Sequence, residues 1–77
     1  MPSRNFDPDA LRRIRRERGL TQVQLADRVG VLHTSISLME RNHNGPSVTV
    51  LAALADALGV PMDDLMTRAD DRELVSV

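Results

Sequence analysis

The sequence contains no cysteine, tryptophan, tyrosine or lysine, and only one phenylalanine among its 77 residues. Without cysteine there can be neither a disulfide nor a zinc site held by thiolates. With one aromatic residue, the chain lacks the stacking platform by which many proteins bind single-stranded nucleic acid. Two histidines among scattered carboxylates do not form a metal-binding pattern. We therefore expect neither a metal nor another cofactor.

Long apolar runs are also absent. No stretch of about 18 apolar residues is present, and no basic segment followed by an apolar one opens the chain. We expect no membrane span and no export signal, and we predict a cytoplasmic protein. A chain of 77 residues accommodates one small domain, and such a domain buries only about 60% of its unfolded surface. Self-association is the expected further source of stability.

The charged residues are unevenly distributed. All ten cations are arginine. Residues 1–41 contain eight arginines against five acidic residues, whereas residues 42–77 contain two arginines against six acidic residues. The first half is suited to an anionic partner and the second half is not. The net charge of -1 therefore conceals a basic half of the molecule.

Capping residues and apolar spacing predict five short helices. Thr21 and Gln24 have the spacing of a capping box, and Asp7 followed by Pro8 is a typical helix start. The predicted helices begin after Asp7, after Thr21, at about His33, after Ser47 and at Pro61, and they end at Gly19, Gly30, Arg41, Gly59 and Met66. We place one domain at residues 7–68, between an N-terminal arm, 1–6, and an acidic C-terminal tail, 69–77.

The second connection between helices is the informative one. Only about three residues separate the second and third helices, and Gly30 can adopt the left-handed conformation that other residues resist. Ala26 supplies a small side chain where two crossing helices approach each other. These features predict a helix-turn-helix corner within an all-α, compact five-helix bundle.

Three stretches then match a known pattern: RRIRRERGLTQVQLADRVGV, ISLMER and PSVTVLAALADALGVPMDDLM. Over roughly residues 10–66 the chain resembles the Cro and phage-repressor type of helix-turn-helix regulators, also called the xenobiotic-response-element family. The resemblance implies a phage-repressor-like domain that binds double-stranded operator DNA, usually as a homodimer. It also implies that the third helix lies in the major groove.

The resemblance further implies roles for individual residues. The base-facing positions are His33, Thr34, Ser37 and Leu38, which helical spacing independently places on one face. The phosphate-contacting positions are Gln22, Arg41, Asn42, His43 and Asn44. We also expect Arg15, as one of the arginines of the basic half, to contact a phosphate. Arg15 and Glu40 match an ion pair that ties the first helix to the third. We expect the dimer interface to include Met62, Leu65, Met66 and Leu74.

The sequence departs from the family pattern at three positions. Leu32 stands where relatives have a serine or threonine cap, so we expect the third helix to have a weak cap or a later start. Asn42 stands where glycine is usual, and asparagine accepts the left-handed conformation. Leu38 replaces a long polar side chain and is suited to packing on a thymine methyl group.

Two functions remain open at this point. One is a sequence-specific transcriptional regulator that acts as a homodimer on a palindromic operator, and we favour a repressor over an activator. The other is a protein-interaction module, antitoxin-like or an accessory subunit, that uses exposed Leu32 and Leu38 and binds DNA weakly. We expect no enzymatic activity, because no orienting acid or oxyanion hole accompanies the hydroxyl groups near His33. His33, His43 and the arginines of the first helix also have an ordinary interpretation as solvated side chains.

Overall fold

The computed structural model describes residues 5–43 and 45–67. These ranges form four α-helices followed by one short 3₁₀ helix, and they contain no β-strand. The helices are α1 (Pro8–Glu17), α2 (Gln22–Val29), α3 (His33–Glu40) and α4 (Val48–Leu58), and the 3₁₀ helix is Met62–Leu65. None of the described helices has the length and the hydrophobicity of a membrane-spanning segment. The all-helical fold predicted from the sequence is confirmed.

The helix starts follow from local side-chain chemistry. The Asp7 carboxylate accepts hydrogen bonds from two backbone N–H groups in the first turn of α1. Thr21 and Gln24 form the predicted capping box, with bonds of 2.9 and 3.0 Å in the two directions. The Ser47 hydroxyl accepts from a backbone N–H of α4 at 3.2 Å. These bonds satisfy donors that the start of a helix leaves unpaired.

The ends of α2 and α3 depend on left-handed residues. Gly30 has a φ of 83°, and Asn42, which has a side chain, has a φ of 61°. Beyond Asn42, the backbone N–H of His43 bonds to the carbonyl of Leu38 at 2.9 Å, as in a Schellman motif. The expectation that asparagine accepts this conformation is confirmed. Three residues, 30–32, separate α2 from α3, as the sequence predicted.

The core draws on every helical element. Each of the five contributes one side chain that is fully buried: Leu11, Leu25, Ile36, Leu54 and Leu65. Ala26 is also buried, at 1% exposure, on α2. Burial of apolar surface is the main stabilising contribution in so small a domain. Because Ile36 points into this core, the opposite side of α3 is directed outward.

The prediction of a fifth α-helix is wrong. The chain forms only the four-residue 3₁₀ helix there, and Met66 then adopts an extended conformation, with φ -114° and ψ 154°. Met66 forms an antiparallel β-bridge with Phe6. Hydrogen bonds of 2.8 and 2.7 Å on either side of the bridge join residues 5–7 to residues 65–67. Pairing with the N-terminal segment therefore replaces continuation of the helix.

Candidate nucleic-acid interface

The α3 helix separates apolar from polar side chains. Ile36 and Met39 are buried, which orients the helix on the domain. The four residues predicted to face DNA bases lie on the outer side of α3. His33 and Thr34 are exposed, and Ser37 and Leu38 are half-buried. Together they present an imidazole, two hydroxyl groups and an apolar surface. Such groups can contact the edges of base pairs in a major groove.

The N-terminus of α3 is open. Leu32 occupies the N-cap position, makes no side-chain capping bond and is 73% exposed. Within the described ranges, the backbone N–H groups of His33 and Thr34 have no protein acceptor. The weak cap expected from the sequence is therefore confirmed. The first turn of the helix presents free donors and the positive end of the helix dipole to its surroundings.

A buried ion pair connects α1 to α3. The Nε of Arg15 lies 2.6 Å from Oε2 of Glu40, and its Nη2 lies 3.0 Å from Oε1. Both residues are buried, with 7% and 4% exposure. The two parallel bonds form the bidentate geometry that makes arginine and carboxylate a strong pair. The structure thus brings together the two residues that the sequence predicted as an ion pair.

Arg15 was also predicted to contact a phosphate, but its burial and its bonds to protein acceptors do not favour that role. Besides its two bonds to Glu40, its Nη1 donates to the carbonyl of Leu20 at 2.8 Å. Each of the three nitrogens of the guanidinium group therefore bonds to a protein acceptor, and the side chain is buried. Arg15 thereby joins α1 to α3 and to the turn after α1.

Gln22 joins the surface to the ion pair. It is the first residue of α2 and is half-buried. Its Nε2 donates to Oε1 of Glu40 at 3.1 Å. The capping box satisfies only the backbone N–H groups of Thr21 and Gln24. In the described part of the molecule, the backbone N–H groups of Gln22 and Val23, which lie between them, have no acceptor. The start of α2 therefore presents unpaired donors of the kind that bind anions.

The other predicted phosphate contacts follow α3. Arg41, Asn42 and His43 are all exposed at its C-terminal end. Asn44 lies outside the described residues. Arg41 makes no ion pair within the described ranges, so its charge is available to a partner. The predicted phosphate contacts therefore lie at the start of α2 and just after the end of α3, the two helices of the helix-turn-helix.

The arginines of α1 are not all available. Arg12 pairs with Asp9 and also donates from Nη1 to the carbonyl of Glu40 at 3.5 Å. Arg13 lies 3.9 Å from Glu17, four residues further along the same helix. Such exposed pairs contribute little to stability, but they reduce the positive charge that α1 offers an anion.

Comparison with known proteins identifies the family. The helix-turn-helix family model matches residues 11–65. The chain belongs to the helix-turn-helix family, of the Cro and phage-repressor type. The family inferred from the sequence is confirmed, and this helix-turn-helix protein is a member of a family of transcriptional regulators.

Individual relatives agree with this membership. An HTH-type transcriptional regulator of Sinorhizobium fredii, y4dJ, is 42% identical over 59 residues, which are 77% of each chain. The immunity repressor protein of Bacillus phage phi105 is 38% identical over 56 residues, which are 73% of this chain and 39% of the phage protein. The P22 c2 repressor, in a crystal structure with a synthetic operator, superposes with a TM-score of 0.73 at 33% identity, covering 75% of this chain and 88% of the repressor.

The residues expected at the dimer interface of this helix-turn-helix protein differ in exposure. Leu65 is 0% exposed and belongs to the domain's own core, so it cannot also contact a second copy. Met62 and Met66 are half-buried and pack against that core from outside. Leu74 lies outside the described residues.

A groove lies between α1 and the 3₁₀ helix, with a volume of about 420 Å³. It is lined by carboxylates and arginines, among them Asp63, Arg13 and Arg18, and by Met66. No residue of α3 lines it, which makes it distinct from the outer face of α3. Within the described ranges, no group of histidine and carboxylate side chains is arranged to hold a metal ion.

Two polar contacts between different helices of this helix-turn-helix protein were not predicted from the sequence. Gln22 and Glu40 are 18 residues apart, and Arg12 and the Glu40 carbonyl are 28 apart. No local spacing rule relates residues at such separations. The Asp9 to Arg12 spacing of three residues was a detectable signal for the helical pair, and the remaining contacts depend on how α1, α2 and α3 pack.

Proposed function

We propose that the protein is a transcriptional repressor that binds double-stranded DNA in the cytoplasm as a homodimer on a palindromic operator. The observation that carries the proposal is the outer face of α3 with its uncharged polar groups, together with the free donors at the start of α2 and exposed Arg41. Phosphate contacts supply much of the affinity for DNA, and base edges supply sequence specificity. Uncharged side chains on α3 are therefore suited to reading bases.

The relatives support this proposal. The phage phi105 relative is an immunity repressor, and the P22 c2 repressor is seen with a synthetic operator. In the proposed complex, Thr34, Ser37 and His33 contact base edges and Leu38 packs on a thymine methyl group. Gln22 and the segment from Arg41 to Asn44 contact phosphates.

Selection of bound duplexes from a random DNA pool, followed by gel-shift titration at several salt concentrations, tests the function directly. The proposal expects enrichment of a palindromic site and affinity that falls as salt rises. A failure to enrich any sequence, with equally weak binding to all duplexes, would refute it.

We expect Arg41→Ala to weaken binding to every duplex alike. One fewer counterion is released, so the slope of log K against log salt becomes shallower by about 0.9. Salt titration with the selected operator and an unrelated duplex measures this slope. Arg18→Ala is the matched control, because Arg18 lines the groove between α1 and the 3₁₀ helix, and no residue of α3 lines that groove. The salt slope of this variant should equal that of the wild type.

Thr34→Val provides the contrast to Arg41→Ala. Valine keeps the shape of threonine and removes the hydroxyl group, so preference should relax at one or two operator positions, by about 1–3 kcal/mol. Non-specific affinity and the salt slope should stay unchanged. Equal loss on operator and unrelated DNA would remove Thr34 from the base-reading positions.

We expect the protein to form dimers through the surface that includes Met62 and Met66. Two copies related by a twofold axis present their α3 helices about 34 Å apart, one turn of DNA. Sedimentation equilibrium should show a dimer at high micromolar concentration, and Met62→Asp should shift it toward monomer with the helical circular dichroism signal unchanged. A wild type that is monomeric both free and on DNA would contradict this expectation.

A second candidate function is binding of a protein partner through Leu32. Its 73% exposure at the start of α3 favours that alternative, because a large apolar side chain gains from coverage by a partner. The same DNA titrations separate the two functions. A protein whose operator affinity is unaffected by Thr34→Val and Arg41→Ala, but whose partner binding is lost with Leu32→Ser, is an interaction module.

A further inference from the structure

The buried ion pair extends to the molecular surface through one side chain. Oε1 of Glu40 accepts from Arg15 at 3.0 Å and from Gln22 at 3.1 Å. Glu40 is 4% exposed, whereas Gln22 is half-buried at the start of α2. The Nε2 of a glutamine carries two N–H groups, so its bond to Glu40 leaves one free.

We propose that Glu40 is a positioning residue for DNA binding, which holds the Gln22 carboxamide so that its second N–H serves a phosphate. This inference rests on the proposed function. The carboxylate fixes which end of the Gln22 amide faces inward, since only the NH₂ end can donate to it. The free N–H is then held beside the unpaired backbone donors of Gln22 and Val23 before DNA arrives. Fixing the donor in advance lowers the entropy cost of binding.

The charge balance permits this arrangement. A carboxylate so near a phosphate site repels the phosphate when its charge is uncompensated. The Arg15 guanidinium, 2.6 Å away and buried with it, neutralises that charge. The pair therefore orients Gln22 with no net negative charge.

The test compares Gln22→Leu in two backgrounds. One is the wild type, and the other carries the paired replacement Arg15→Met with Glu40→Leu. Replacing both members of a buried ion pair by apolar residues of similar volume often preserves or raises stability, whereas removal of one member strands a charge. The paired background therefore keeps the fold and removes the acceptor that holds Gln22.

Gel-shift titrations use the selected operator and an unrelated duplex of the same length. We expect Gln22→Leu to weaken wild-type binding about tenfold on both, the effect of one hydrogen bond to a charged group. The paired replacement should weaken it to a similar extent. In the paired background, Gln22→Leu should then cost less than about twofold, and the salt slope should stay constant in all variants, because the net charge is unchanged.

A purely structural ion pair gives a different result. The paired replacement then binds DNA like the wild type, and Gln22→Leu costs the same in both backgrounds. That additivity, in a protein that binds its operator, overturns the inference and leaves the proposed function intact. A wild type that binds no duplex overturns both.

A measurement on the free wild-type protein covers the case in which the paired replacement does not fold. NMR of side-chain amides should show one Gln22 Nε2 proton shifted downfield and slow to exchange with solvent. Gln24 is the internal control, since the Nε2 of that residue has no protein partner in the described part of the chain and only its Oε1 is bonded. A Gln22 amide that exchanges like that of Gln24 overturns the inference.

Discussion

Replacing Glu40 by alanine is expected to lower the free energy of unfolding by about 3–5 kcal/mol. The substitution removes the counter-charge of Arg15, a residue that is 7% exposed in the wild type. It also removes the acceptor that Gln22 uses. Since a domain of this size is marginally stable, such a loss should leave a large fraction of the protein unfolded at 37 °C.

Urea denaturation followed by circular dichroism measures this effect. Glu17→Ala is the matched control, because the Glu17 side chain is 61% exposed and lies 3.9 Å from Arg13. It should change the free energy of unfolding by only about 0–1 kcal/mol. If both variants unfold at the same urea concentration, the Arg15–Glu40 pair does not contribute to stability as the structure implies.

Replacing Ile36 by alanine should destabilise the domain by about 2–5 kcal/mol. Ile36 is the fully buried side chain that α3 contributes to the core, at 0% exposure. Its truncation removes apolar contacts and leaves a cavity beneath the outer face of α3. Because Ile36 orients α3 on the domain, we also expect operator affinity to fall even at temperatures where the variant is folded.

Leu32→Ala is the control for Ile36→Ala. Leucine and isoleucine have the same number of atoms, but Leu32 is 73% exposed just before the same helix. Its truncation should change stability by no more than about 0.5 kcal/mol. Thermal melts of the two variants check this difference, and comparable losses of stability would mean that α3 packs on the domain by another face.

The two substitutions act on stability and DNA binding together. Ile36 fixes the helix that is proposed to read bases, and Glu40 holds the side chain proposed to contact a phosphate. In a domain with so few buried residues, the same side chains serve the core and the site. A loss of DNA binding in either variant must therefore be compared with its folded fraction before a contact is inferred.

The helix-turn-helix corner and the approximate starts and ends of α1 to α4 were predictable from the sequence. The capping box of Thr21 and Gln24 and the left-handed position of Asn42 involve groups only a few residues apart. The apolar period of α3 likewise showed which face carries Ile36 and which carries Thr34. Such features depend on backbone geometry and side-chain type within one or two helical turns, so no knowledge of tertiary packing is needed.

The predicted ion pair shows an intermediate case. Arg15 and Glu40 are 25 residues apart, and family resemblance, not spacing, suggested their pairing. The resemblance did not indicate that Arg15 would also bond to the turn after α1. That contact follows from the position of the Leu20 carbonyl, which accepts a hydrogen bond from Nη1 of Arg15 at 2.8 Å.

The contacts that only the tertiary structure decided join distant parts of the chain. Asn5 bonds to Thr67 across 62 residues, and the pairing of these segments ends the predicted fifth helix at Leu65. Leu65, the last residue of the 3₁₀ helix, lies in the core of the domain. The contact between Gln22 and Glu40 also depends on tertiary structure. Burial of apolar surface determines how the helices pack, and this packing sets the distance between side chains on different helices.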